Sequence, residues 1–157
     1  MLALNSPVIQ QGCFYSDSVS AHGEFAGWRA TKGGAVIGPD SFIRTIREIE
    51  DLSANGLESG DAPSEVAQET AKRLLTEAQV KGTIYVIPSA VEASEGDLLI
   101  HWDTAVKNVV LICPSSTSKP AQIYTEVLDG MRAAHSEMME ASAQTLSDAL
   151  AWVLRAK

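Results

Sequence analysis

The chain has 157 residues, 45% of them hydrophobic and 20% charged, which is the length and usage of about one globular domain. That hydrophobic share excludes a disordered chain, and the lack of a repeat period excludes a fibrous or solenoid one. Twelve Lys and Arg against twenty Asp and Glu give a net charge of -8; direct nucleic-acid binding, which needs a basic face to displace counterions from phosphates, is disfavoured.

Residues 1–38 are rich in Gly, Ser and Gln, with the aromatics Phe14, Tyr15, Phe25 and Trp28 spread among them. Short extended pieces at 27–30 and 35–37, around Lys32-Gly33-Gly34, suit a hairpin. The segment reads as an N-terminal arm, and residues 39–157 as a single domain. Its aromatics either dock on the protein's own core or form a binding arm. The opening MLALNSPVIQQG has no basic residue before a very short apolar stretch, unlike a secretion signal. No window approaches the ~18 apolar residues of a membrane span. The expectation is a cytoplasmic protein.

Pro39-Asp40-Ser41 opens a first helix, in which Phe42, Ile46, Ile49 and Leu52 fall at helical spacing. Ser53-Ala54-Asn55-Gly56 is expected to stop it, because Asn-Gly favours a left-handed cap. A second helix starts at Asp61-Ala62-Pro63-Ser64, with Asp61 as the cap. Its apolar stripe is Ala67, Ala71, Leu74, Leu75 and Ala78, and it ends before Lys81-Gly82.

The period then changes to two. Strands are expected at 83–87, 97–103, 108–113, 121–128 and 131–139, the last two joined by Asp129-Gly130, a hairpin signal. Leu146, Ala149, Leu150, Val153 and Leu154 define a closing helix, with a capping box read at Thr145 to Asp148. The fold class is therefore α+β: two helices, a four- or five-stranded antiparallel meander, and a C-terminal helix packed on one sheet face.

The stretch from Ile46 to about Leu154 resembles a widespread group of small bacterial proteins to which no activity is assigned. The pattern of that group is a helix, an Asn-Trp-Asp-Gly-x-Gly-Ala-like loop, a Pro-Ser-started helix, a Glu-Trp strand meander and a C-terminal helix. Here the loop reads Asn55-Gly56-Leu57-Glu58-Ser59-Gly60-Asp61-Ala62, the helix starts Pro63-Ser64-Glu65, and the strand is Leu98-Leu99-Ile100-His101-Trp102-Asp103. Gly56 stands where the loop tryptophan would be, Leu57 where the loop acid would be, and His101 where an acid would precede Trp102. The resemblance implies the fold and no activity.

Candidate chemistry is sparse. His101 and Asp103 alternate on one strand, and with His135 they could form a metal or general-base cluster; alternate polar residues on a solvated face explain the same spacing. Ser115-Ser116-Thr117-Ser118-Lys119 lacks the Gly-x-x-x-x-Gly-Lys frame of a phosphate loop and reads as a turn. Cys13 and Cys113 sit in no CxxC pair, and Cys113 reads as a small core hydrophobe. No cofactor motif is present. Residues 55–100 hold eight acids, Glu58, Asp61, Glu65, Glu69, Glu77, Glu92, Glu95 and Asp97, against Lys72, Arg73 and Lys81, either as a solvated helix face or as a surface aimed at a basic partner. Trp152 lies off the closing helix's apolar stripe, a position suited to an interface or to packing. Met131, Met138 and Met139 gather near the hairpin, as core filling or as an adaptable contact surface.

The expected function is that of a non-enzymatic acidic protein-binding module. It would inhibit or regulate a nucleic-acid-handling partner, as a phage or mobile-element anti-defence inhibitor or an antitoxin-like regulator does. Its partner-binding residues would be Glu58, Asp61, Glu65, Glu69, Glu77, Trp28 and Trp152. The alternatives are a small metal-dependent hydrolase using His101, Asp103 and His135, and a structural subunit whose arm or sheet edge adds to a neighbour.

Overall fold

The computed structural model describes residues 39–59, 61–81 and 86–155, all within the compact unit Val36–Lys157. The arm at 1–38, including Trp28 and the Lys32-Gly33-Gly34 turn, lies outside the described residues.

Helix α1 spans Pro39–Ser59. It opens with proline, whose missing N–H is no loss in a first turn. Ser41, Thr45 and Ile49 are buried along one stripe, and Phe42, Ile46 and Leu52 pack against the core beside them. The Thr45 hydroxyl donates to the Ser41 carbonyl at 3.1 Å, which lets it be buried with its proton satisfied. The helix passes through Asn55-Gly56, where a stop was expected, and continues to Ser59. Gly56 serves a crossing instead of a cap. A Cβ there would lie 2.6 Å from the Ala62 Cα, and the Gly56 carbonyl accepts the Asp61 N–H at 3.1 Å. The returning chain therefore crosses the helix where there is no side chain.

Helix α2, Glu65–Lys81, buries Ala67, Ala71, Leu74, Leu75 and Ala78, the stripe read from spacing. Its cap is Ser64 rather than Asp61: Ser64 Oγ accepts the Ala67 N–H at 3.1 Å and donates to the Ser115 carbonyl at 3.3 Å. Gln68 Nε2 donates to Ser53 Oγ at 2.9 Å, and Lys72 Nζ meets Glu50 Oε1 at 2.9 Å. These contacts join α2 to α1.

The sheet is β1 (Ala90–Ser94), β2 (Asp97–Asp103), β3 (Lys107–Cys113), β4 (Gln122–Asp129) and β5 (Arg132–Glu140). Spatial order equals chain order, and every neighbouring pair is antiparallel. The five-stranded meander is as expected, with one exchange. Residues 83–85 lie outside the described residues, Val86 forms only an isolated bridge, and Ala90–Ser94 supplies the first strand. Ala, Glu and Ser have weak strand preference; this strand exists because a two-residue turn folds it onto β2. Both turn residues, Glu95 and Gly96, have positive φ, 54° and 86°, which matches the strand twist. The Val86 carbonyl accepts the Trp102 indole N–H at 2.9 Å, so the buried tryptophan has its polar end satisfied.

Helix α3, Ala143–Leu154, is capped by Ser142 in a reciprocal box with Thr145. Thr145 N–H donates to Ser142 Oγ at 3.1 Å, and Ser142 N–H donates to Thr145 Oγ1 at 2.8 Å. The box thus lies three residues before the Thr145–Asp148 position expected, since a threonine at the third helical position replaces the usual Glu or Gln. α2 and α3 pack together and against the sheet. Between them and the strands lie Leu98, Ile100, Trp102, Val109, Leu111, Cys113 and Ile123, all nearly solvent-free. Each large side chain of this kind contributes about 1.5–3 kcal/mol on burial. The fold is α+β. Among the described residues no helix is long and apolar enough to cross a membrane.

Candidate functional site

Strand register sorts the polar side chains by face, because paired residues of antiparallel strands point the same way and neighbours along a strand point oppositely. His101 pairs with Val110, Val110 with Tyr124 and Tyr124 with Met138. His135 lies three residues before Met138, and so on the other face and three strands away. The expected His101, Asp103 and His135 cluster does not assemble. His101 Nε2 instead approaches Glu92 Oε2 at 3.7 Å, and Asp103 Oδ2 accepts the Ser89 hydroxyl at 2.8 Å. Among the described residues there is no grouping of three or more His, Cys, Asp or Glu placed to hold a metal ion.

The hydroxyl loop is occupied with structure, in agreement with the turn reading. Ser115 N–H donates to Asp97 Oδ1 at 2.7 Å, while its carbonyl takes the Ser64 hydroxyl. Ser116 and Ser118 bond to each other at 2.8 Å. Two residues before this loop, at the end of β3, Cys113 is a buried free thiol. Burial pushes its pKa up to about 12, with Asp97 adding to the rise and Arg73 opposing it. A thiol held protonated in this way is not a nucleophile.

Of the expected partner-binding acids, Asp61, Glu65, Glu69 and Glu77 are exposed, and the Glu58 side chain lies outside the described residues. Their surface is mixed in sign. Glu77 faces Arg73 at 3.8 Å, and Lys72 reaches across to Glu50 from between Glu69 and Glu77. Trp152 is half-buried against the core and has a structural partner that the sequence did not suggest. Lys107, only 6% exposed, places Nζ 4.9 Å from the centre of the Trp152 ring. The same ammonium donates to the Trp152 carbonyl at 3.0 Å and to that of Arg155 at 2.6 Å. It caps the C-terminus of α3, where a positive charge is favoured by the helix dipole.

A one-signed surface lies elsewhere, on the sheet face turned away from α2 and α3. One row across the strands reads Glu92, Leu99, Ile112, Gln122 and Glu140. The next reads Ala90, His101, Val110, Tyr124 and Met138, and the third Asp103, Asn108, Glu126 and Ser136. The centre is apolar and half-buried, and Met138 is 49% exposed. Around it stand Glu92, Asp103, Glu126 and Glu140. No Lys or Arg falls in these three rows; the two in the strands, Lys107 and Arg132, occupy positions of the other face. Tyr124 donates to Glu126 Oε1 at 2.9 Å, and this bond to the carboxylate raises the phenol's pKa. Asn108 Nδ2 holds the other Glu126 oxygen at 3.1 Å. The carboxylate is thus fixed in place within the apolar surround. The sequence reading had Asp103 only in a metal or base cluster, Glu92 only in the acid-rich stretch, and singled out neither Glu126 nor Glu140, because the four are scattered over four strands; alternation was visible, but not which strands sit side by side.

Comparison with known proteins finds no matching family model, no matching curated protein and no matching solved structure.

Proposed function

We propose that this chain is a non-enzymatic acidic binding module that inhibits or regulates a protein partner by covering a basic, nucleic-acid-handling surface. The observation that carries this reading is the sheet face with an apolar centre, ringed by Glu92, Asp103, Glu126 and Glu140 and free of Lys and Arg in its three rows. Apolar contact supplies affinity, and charge of one sign supplies steering and choice of partner. The net charge of -8 extends the same attraction over a Debye length, about 8–10 Å at physiological salt. On this reading the mixed-charge surface of α2 contributes little, and Trp152 serves α3 instead of the partner.

The test is affinity capture of the tagged chain from nuclease-treated host extract at low and high salt. The recovered partner is then assayed for nucleic-acid binding with and without the chain. The expected result is a stoichiometric basic partner, held at low salt and released at high salt, whose nucleic-acid binding falls as the chain is added. A partner that keeps its nucleic acid while bound to the chain would sink the inhibitory reading.

A further inference from the structure

Strand β5 ends the sheet, and what lies along it differs from every other strand. All residues from Met131 to Met138 are exposed, on both faces, with Met131 at 99%. The strand therefore gains little beyond its pairing with β4, and an isolated two-stranded ribbon is marginal in water. Its hydrogen-bonding edge can be assigned from one bond. Ala141 N–H donates to the Ala121 carbonyl at 2.8 Å, so in the antiparallel ladder the odd residues 135, 137 and 139 bond to β4. Ser136, Met138 and Glu140 then turn their backbone N–H and C=O outward, away from the sheet. An edge of nine residues without proline is a template for another strand.

The sequence of this edge is complementary to itself. In an antiparallel pairing of two copies centred on Ser136, His135 of each copy meets Glu137 of the other on one face. Ser136 meets Ser136 on the opposite face. The outward-turned backbone of Ser136 makes this central pair a hydrogen-bonded one. The His135–Glu137 contact occurs twice by symmetry, as a two-fold interface requires. The bulge where β5 departs from register, between Val127 and Leu128 on its partner strand, limits the pairing to the C-terminal side of Ala133.

We infer that β5 is a homodimer edge, at which two copies of this chain join their sheets about a two-fold axis through Ser136. The inference is independent of the acidic face and of its partner.

Sedimentation equilibrium of the full chain over a wide concentration range tests it, with far-UV circular dichroism confirming that each variant folds. The expected species has twice the 16.7 kDa chain mass. His135→Glu sets like charges opposite each other twice and should weaken the dimer about tenfold, at roughly 0.7 kcal/mol per pair. His135→Glu combined with Glu137→Lys restores opposite charges and should restore the dimer. Ser136→Pro removes the outward central N–H and leaves the backbone bonds to β4 in place, losing there only the side-chain bond to Tyr124, and should give monomer. A wild-type chain that stays monomeric throughout would overturn the inference. So would a dimer indifferent to Ser136→Pro, or one that the double exchange fails to recover.

Discussion

Cys113 and Lys107 show how single residues carry more than their types suggest. Both sit at ends of β3, and both are buried. The Cys113 thiol is shifted from 9.0 to about 12, chiefly by burial. Below pH 9 it is protonated whether the chain is folded or not, and its full contribution to stability is present. Between 9 and 12 the unfolded thiol loses its proton first, so unfolding is favoured as pH rises, by up to about 1.4 kcal/mol per pH unit. The expected outcome is that Cys113→Ala, although less stable below pH 9 because of the cavity it leaves, loses less stability than the wild type when urea denaturation is repeated above pH 9. Identical pH slopes would show that the thiol ionises as easily folded as unfolded. Lys107 was not singled out by the sequence at all. A lysine at the start of an apolar strand looks like a surface residue; only the fold brings the end of α3 above it.

At the scale of elements, legibility followed locality. The α2 stripe, the β2 and β3 spans and the Asp129-Gly130 hairpin rest on spacing and turn chemistry within a few residues, and each appears within one residue of where the sequence placed it. The failures depend on what packs or pairs against a segment and not on the segment's own spacing. The first helix overran Asn55-Gly56 because Ala62 returns against it, and β1 formed from weak strand residues because β2 was available to pair. The C-terminal box illustrates a smaller case: Ser142 and Thr145 satisfy each other's backbone N–H, whereas Asp148 accepts only the exposed Gln144 amide. Ser142→Ala should therefore cost about 1 kcal/mol in thermal or urea denaturation, and Asp148→Ala within about 0.5 kcal/mol of nothing. The reverse order would return the cap to the position read from sequence.

For the whole molecule, composition announced an acidic protein but misplaced where the charge is concentrated. Along the chain the partner-binding acids were expected at 58–77, yet α2 itself supplies cations to that surface through Lys72 and Arg73. Across the sheet, acids spaced far apart in sequence meet on one face without Lys or Arg. Register, which depends on five strands pairing in order, is a property of the folded whole and has no local signature. On the proposed reading this face, and not the helix surface, meets the partner. Its most direct test compares two charge reversals in parallel capture from host extract. Glu92→Lys with Glu140→Lys alters both ends of one sheet row at exposed positions, and Glu65→Lys with Glu69→Lys alters α2. The expected result is loss of the partner with the sheet pair and retention with the helix pair. Retention by the sheet pair and loss with the helix pair would contradict the account and return the interface to α2.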